Sequence, residues 1–221
     1  MTDISNLNMD FSQRVVIESE KLDWVSSPMQ GVERRMLERE KPESGRATSI
    51  VRYAPESYFS PHTHGGGEEF VVLEGVFSDE HGDCGPGSYI RNPPGSSHTP
   101  FSADGCAIFV KLWQMEPEDS ETVRIDTEFA NWLPGQVPGL IVLPLYARGP
   151  ENVALVRWQP GTEFHRHVHP GGEEIFVLEG TFEDEAGRYP KGTWLRNPSY
   201  SEHTPFSSEG YLIYVKVGHL D

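Results

Sequence analysis

The sequence predicts an all-β protein built from two homologous domains. Three observations carry this: an internal repeat of about a hundred residues, turn residues throughout, and short β-rich runs at matching places in both halves. The repeat is read first because it fixes the architecture. Residues 62–111 align without gaps on 167–216, and 28 of 50 positions are identical. The offset is 167 − 62 = 105. Val51-Arg52 matches Val156-Arg157, and Trp24 matches Trp132 at a shifted register. A unit this long exceeds a solenoid repeat and can hold its own core. The acidic stretch 116–121 suggests a divide, giving domains 1–116 and 117–221.

The chain has 22 Gly and 18 Pro. Between them lie runs such as 47–53, 69–74 and 107–112, repeated as 153–158, 174–179 and 212–217. Many short strands with regular turn signals indicate a sandwich or barrel. Residues 32–40 could form one helix on periodicity alone. Their partner, 140–145, contains β-branched residues and Pro144, so both segments are expected as strands.

The 221 residues are 36% hydrophobic, enough for ordinary cores. A net charge of −16 disfavours nucleic acid and anionic membrane as partners. No apolar run approaches the ~20 residues of a membrane span. The first residues show no secretory signal, and Cys84 and Cys106 form no Cys-x-x-Cys. A cytoplasmic location is therefore expected. Tyr189 and Tyr211 replace the two cysteines in the second repeat, so the thiols are expected to be ordinary packing groups.

The strongest chemical signal is a duplicated donor set. His62, His64, Glu68 and His98 recur as His167, His169, Glu173 and His203. Residues i and i+2 of a strand share a face, about 6.6 Å apart, so two imidazoles can converge on one divalent ion. Gly65, Gly66 and Gly67 permit a tight reversal that returns Glu68 toward them. Glu69 and Glu174 compete for the carboxylate role, and alternation places one of each pair inward. His81, His165 and His219 are not duplicated and are expected to be ordinary, with His165 an outer contact at most. No nucleophile or separate acid–base pair stands out, so no catalytic residue is assigned.

Arg91 and Arg196 are also duplicated. Each could reach a ligand carboxylate, but the Asn-Pro that follows favours anchoring an outer carboxylate. Phe70, Val72, Ile175 and Val177 should share the faces of Glu68 and Glu173 and could line a pocket for a small molecule. The opposite faces carry Val71 and Leu73, then Phe176 and Leu178. They are expected to pack on another sheet, between the domains or across a homodimer.

The spacing of these residues resembles the cupin superfamily. Gly161, His167, His169, Glu173 and Gly180 fit its first motif. His62, His64, Glu68 and Gly75 fit it too, with Glu56 replacing the leading Gly. Gly87, Pro93, Gly95 and His98 fit the second motif, with Ser102 for its Asn. In the second repeat Gly192, Pro198 and His203 fit, but Tyr200 replaces a Gly and Ser207 the Asn. Tyr200 should force a different backbone or strain, or fill the site with its ring. The wording around His62–Glu69 and Arg91–His98 is similar to the cupin-like domain of ChrR-type anti-sigma factors. That resemblance implies a bicupin, two tandem double-stranded β-helix (jelly-roll) barrels, with zinc held by three His and one Glu. The family's N-terminal sigma-binding module is not expected, because residues 1–20 contain no Cys or His.

Two functions follow. One is a zinc-binding regulator resembling the ChrR sensor domain, sensing oxidative stress in transcription, with a sigma factor or other regulatory protein as partner. The alternative is a metal-dependent dioxygenase acting on a small diketone or aromatic ketone. Iron, manganese or nickel would then replace zinc and leave coordination positions open.

Overall fold

A computed structural model describes residues 5–220; residues 1–4, which include most of the N-terminal stretch read for a leader, lie outside it. The described residues are almost wholly β, with one short 3₁₀ turn at Ser19–Lys21. Every strand pairing is antiparallel. The described residues form two compact units, 5–9 with 22–129 and 10–21 with 130–220. The repeat alone places the divide at 116/117.

In the first unit a seven-stranded sheet runs in the order Val123–Ile125, Tyr89–Asn92, Glu68–Gly75, Cys106–Leu112, Ala47–Tyr53, Val32–Arg39, Val25–Ser26. Shorter strands form a four-stranded sheet and the pair His62–Thr63 with Ser97–His98. Inward residues of the large sheet, Phe70, Val72, Ile90, Ile108 and Val110, form one apolar core with Phe77 of the small sheet. The second unit repeats the plan, and its core holds Ile175, Val177, Phe182, Leu195 and Ile213. This is the tandem jelly-roll barrel, a bicupin, and Val32–Arg39, the segment open to a helical reading, is a strand like its partner Leu140–Arg148.

Two bulges recur in each unit and reset the alternation of side chains. One lies at Leu37, between Met36 and Glu38, and its counterpart at Leu145. The other leaves Leu73 and Leu178 without direct partners. A bulge adds one residue and re-aims those beyond it. Strict alternation would put Leu73 beside Val71 and Leu178 beside Phe176. Instead Val71 and Phe176 are buried while the two leucines are half-exposed.

The edge strands have an unexpected origin. Val123–Ile125 covers Tyr89–Asn92 in the first unit, while Val15–Glu18 covers Thr193–Asn197 in the second. A covered edge no longer offers unpaired backbone groups to other chains. Proline at position 17 would lose its amide and disturb the pairing of Ile17 with Trp194. Ile17→Pro is expected to destabilise the second unit by about 1–3 kcal/mol, read as an earlier melting transition with the first unit's transition unmoved. Two unshifted transitions would contradict this role for residues 15–18.

Candidate metal centres

Each unit brings its three histidines together. In the first, His62 lies on a two-residue strand paired with His98, and His64 follows one residue later. The ring centroids are 4.9, 4.9 and 4.7 Å apart. Glu68 opens the next strand, and its Oε2 lies 3.5 Å from both His64 Nε2 and His98 Nε2. The turn between depends on glycine: Gly67 has φ 77°, and a Cβ there would meet Met115 Sδ at 2.3 Å. A Cβ on Gly66 would strike the Trp113 ring at 2.5 Å.

The carboxylate question is settled by alternation. Glu68 faces the imidazoles and takes a 3.1 Å hydrogen bond from Asn92 Nδ2. Glu69 points to the other face and pairs with buried Arg91 at 2.5 Å. Arg91 also holds Asp119 at 2.6 Å, so it anchors outer carboxylates and pins the acidic stretch. Arg196 likewise serves structure, giving Nη2 to the Asp10 carbonyl and lying over the Phe11 ring.

The outer nitrogens are held as a metal ligand requires. His98 Nδ1 lies 3.3 Å from Asp79, and His62 Nδ1 lies 3.2 Å from the Ser60 carbonyl. A carboxylate or carbonyl on Nδ1 fixes the tautomer that leaves the Nε2 lone pair free for a cation. Asp79 is itself gripped by Arg124 at 2.9 and 3.0 Å. Burial opposes its charge, but His98, Arg124 and the His81 amide outweigh that and hold its pKa well below the usual range. Buried His64 Nε2 and His98 Nε2 have no hydrogen-bond partner. Two orphaned lone pairs beside a buried carboxylate fit a divalent cation and little else. Burial also pushes the His64 pKa down, reinforced by His98 and His62 and opposed by Glu68. The ring is thus neutral at pH 7, the form that binds metal.

The second unit assembles the same donors with one difference. Its ring centroids are 4.6, 4.8 and 4.9 Å apart. Glu173 lies 3.6 Å from His169 and 3.7 Å from His203, and Asn197 donates to it at 2.9 Å. Here His169 Nε2 and His203 Nε2 sit 3.1 Å apart, a separation that suits an N–H···N hydrogen bond or two ligands of one ion. Burial drives the His169 pKa down to about 3, with His203 and His167 adding to it. Burial works against charge on His203 as well, but Asp184, 3.6 Å from Nδ1, and Glu173 outweigh it and raise its pKa.

Both departures from the cupin glycine pattern keep the turn and accept strain. Tyr200 has φ 61° where Gly95 has φ 84°, and Glu56 has φ 58° where Gly161 has φ 77°. Tyr200 N bonds the His169 carbonyl as Gly95 N bonds that of His64. A non-glycine residue there costs roughly 1–2 kcal/mol. The Tyr200 ring is 72% exposed, so it does not fill the site. His165 is exposed and stacks on Phe164, giving its carbonyl to His167 Nδ1; His219 pairs with Glu174 at 2.5 Å. Cys84 and Cys106 are free and buried, and burial raises both thiol pKa values.

Sequence reasoning missed the outer groups. Asp79 and Asp184 keep the 105-residue offset, as do Asn92 and Asn197, so duplication was the available signal. Arg124 and Arg14, which reach those aspartates from the edge segments, are not duplicated at that offset.

A cavity adjoins each centre. In the first unit about 280 Å³ is bounded by His62, His64 and Glu68, by apolar Val51, Ile108 and Leu112, and by Arg34 and Arg39. In the second about 520 Å³ meets His167, His169, His203 and Glu173, with walls such as Val142, Val156, Trp158, Phe164 and Val215.

Two outcomes follow. Asp79→Asn is expected to weaken metal binding at the first centre by about 10–100-fold, read by competition with a chelator; unchanged affinity would remove the orienting role. The second concerns the metal-free protein. Below the free-imidazole pKa of about 6.5, His169 and His203 each take a proton when unfolded but share about one when folded. The unfolded state binds more protons, so stability falls as pH drops from about 6.5 toward 3. Urea unfolding at pH 7.5, 6.0 and 5.0 should show this loss for the second unit, and a flat profile would contradict the neutral His169.

The comparisons agree with this architecture. The family described as the ChrR cupin-like domain matches twice, over residues 12–116 and 120–221. No curated protein matches the sequence. Among solved structures, a "putative dioxygenase" from Nostoc punctiforme superposes with TM-score 0.79 at 17% identity, over 93% of this chain and 82% of that one. Protein Ylba from E. coli gives TM-score 0.71 at 18% identity, over 100% and 96%. A salicylate 1,2-dioxygenase from Pseudaminobacter salicylatoxidans gives 0.67 at 12% identity, over 95% and 84%. At such identities these likenesses speak for the fold alone. No helix among the described residues is long and apolar enough to cross a membrane. With both halves matched over nearly their whole length, the chain belongs to the ChrR cupin-like domain family.

Proposed function

We propose that the protein is a zinc-binding bicupin with a regulatory, oxidative-stress-sensing role in transcription. The observation that carries the metal reading is the pair of orphaned Nε2 atoms, on His64 and His98, facing Glu68. His62, His64, Glu68 and His98 would hold one ion, and His167, His169, Glu173 and His203 a second. Zinc bound by four protein ligands sits in a closed site and ties strands together rather than activating water. Family membership supports the sensor reading, with a sigma factor or another regulatory protein as partner. Zinc does not change oxidation state, so an oxidant would act on the ligands and release the ion, loosening the strands.

A second reading is a metal-dependent dioxygenase for a small diketone or aromatic ketone. The apolar 520 Å³ cavity beside the second triad favours it, being of a size and lining suited to a small molecule. Iron would then be the metal, with coordination positions left for substrate and oxygen. In either case the chain's own groups hold the ligand nitrogens in place, through Asp79, Asp184 and the Ser60 and His165 carbonyls, and exclude water with the barrel core. Cytoplasmic location and a homodimer belong to the same proposal.

Metal analysis of full-length protein purified without added metal tests it. Two zinc ions per chain are expected, with about one lost in each of His64→Ala and His169→Ala. Iron with substrate-dependent oxygen uptake would displace the sensor reading. Metal content unaffected by both substitutions would remove the proposed centres.

A further inference from the structure

The two cavities share donors but not walls. Strand Val32–Arg39 of the first unit and strand Leu140–Arg148 of the second occupy equivalent places, each paired with the strand that follows it. Register equates Arg34, opposite Val51, with Val142, opposite Val156. It equates Arg39, opposite Ala47, with Ala147, opposite Asn152. Ser49 corresponds to Ala154 by the 105-residue offset. Three polar side chains on the first cavity's wall thus have apolar counterparts in the second unit. Arg34 and Arg39 are five residues apart and would face opposite ways in a regular strand. The bulge at Leu37 brings both onto the cavity.

Those polar groups are under-satisfied. Arg39 is only 4% exposed; its Nη1 donates to the Pro42 carbonyl at 2.6 Å, but its Nε has no partner. Arg34 gives both Nη atoms to Glu43, at 2.9 and 3.0 Å, and its Nε too is unpaired. Buried Ser49 Oγ also has no partner. Half-exposed Glu43 pairs with Arg34, and among the described residues no carboxylate forms an ion pair with Arg39. Burial lowers the Arg39 pKa, Arg34 adds to this, and Glu43 opposes it. Leaving a charged donor buried and unpaired is costly, so such a group points to an absent acceptor. The acceptor must be planar or forked to match guanidinium, as a carboxylate is. Between the arginines and the histidines the wall is apolar, with Val51, Ile108, Val110 and Leu112.

We propose that the first unit's cavity is a binding site for a small organic carboxylate with an apolar body, its anionic end held by Arg39, Arg34 and Ser49. The site extends the metal reading, since a bound divalent ion would raise the cavity's positive charge and strengthen anion binding. In the second unit Val142 lines the cavity where Arg34 lines the first, and Ala147 and Ala154 offer no polar group in place of Arg39 and Ser49.

Isothermal titration of the zinc-loaded full chain with benzoate, and with benzamide as its neutral isostere, tests this. Benzoate should bind and benzamide at least about tenfold more weakly, the scale of a charge-assisted hydrogen bond. Arg39→Met and Arg34→Met should each weaken benzoate by about tenfold or more. Arg39→Met should melt no earlier than the wild type, because it removes an uncompensated buried charge. Equal binding of benzamide, wild-type benzoate affinity in both arginine variants, or failure of benzoate, acetate and succinate alike to bind would overturn the site. Zinc content of the same preparations keeps the two ideas apart. Arg39-dependent benzoate binding in a chain that takes up no zinc would remove the metal and leave the carboxylate site standing.

Discussion

Three imidazoles and a carboxylate meeting in a buried space is the constraint on which each unit depends. None of these groups is comfortable there alone. Uncharged imidazole nitrogens without partners lose hydrogen bonds to water, and a carboxylate in the interior demands a counter-charge. The fold solves the outer half of the problem with protein groups: Asp79 and the Ser60 carbonyl take the Nδ1 sides, and Asn92 holds Glu68. The inner half is left to a cation in the first unit. In the second, His169 and His203 face Glu173 in the same way, with their Nε2 atoms 3.1 Å apart.

Much of this was legible in the sequence because the chain states it twice. The offset of 105 residues exposed the donor set, and strand alternation kept His62 with His64 and sent Glu69 away from Glu68. Strand alternation also put Phe70 and Val72 on the face of Glu68, where they fill the core instead of lining the cavity, while Ile175 does line the second. It failed at Leu73 and Leu178, because a bulge inserts a residue that periodicity does not announce. The edge strands were hidden for another reason. Which strand covers an edge depends on chain path, and residues 10–21 pack in the unit that does not follow them directly. Tyr200 shows a third limit. The sequence marked a missing glycine, and only the backbone shows that the left-handed turn survives at the expense of strain.

Duplication also lets each half serve as a control for the other. What both keep is the ligand set, its outer aspartate and asparagine, and the Arg-Asn-Pro turn. What differs is the wall: Arg34, Ser49 and Arg39 line the first cavity, while their counterparts are Val142, which lines the second, and Ala154 and Ala147. Shared donors with divergent walls fit the proposed reading, one metal chemistry beside two different pockets. This pattern is typical of a fold whose function lives in grafted sites rather than in its architecture.

X-ray absorption spectroscopy of the metal-bearing full chain tests the central claim most directly, because it reads what surrounds the ion. Convergence of His62, His64, His98 and Glu68 predicts nitrogen and oxygen neighbours at about 2.0–2.2 Å, with the outer-shell scattering of about three imidazole rings. A spectrum without imidazole scattering, or with sulfur at about 2.3 Å, would place the metal elsewhere and contradict the account.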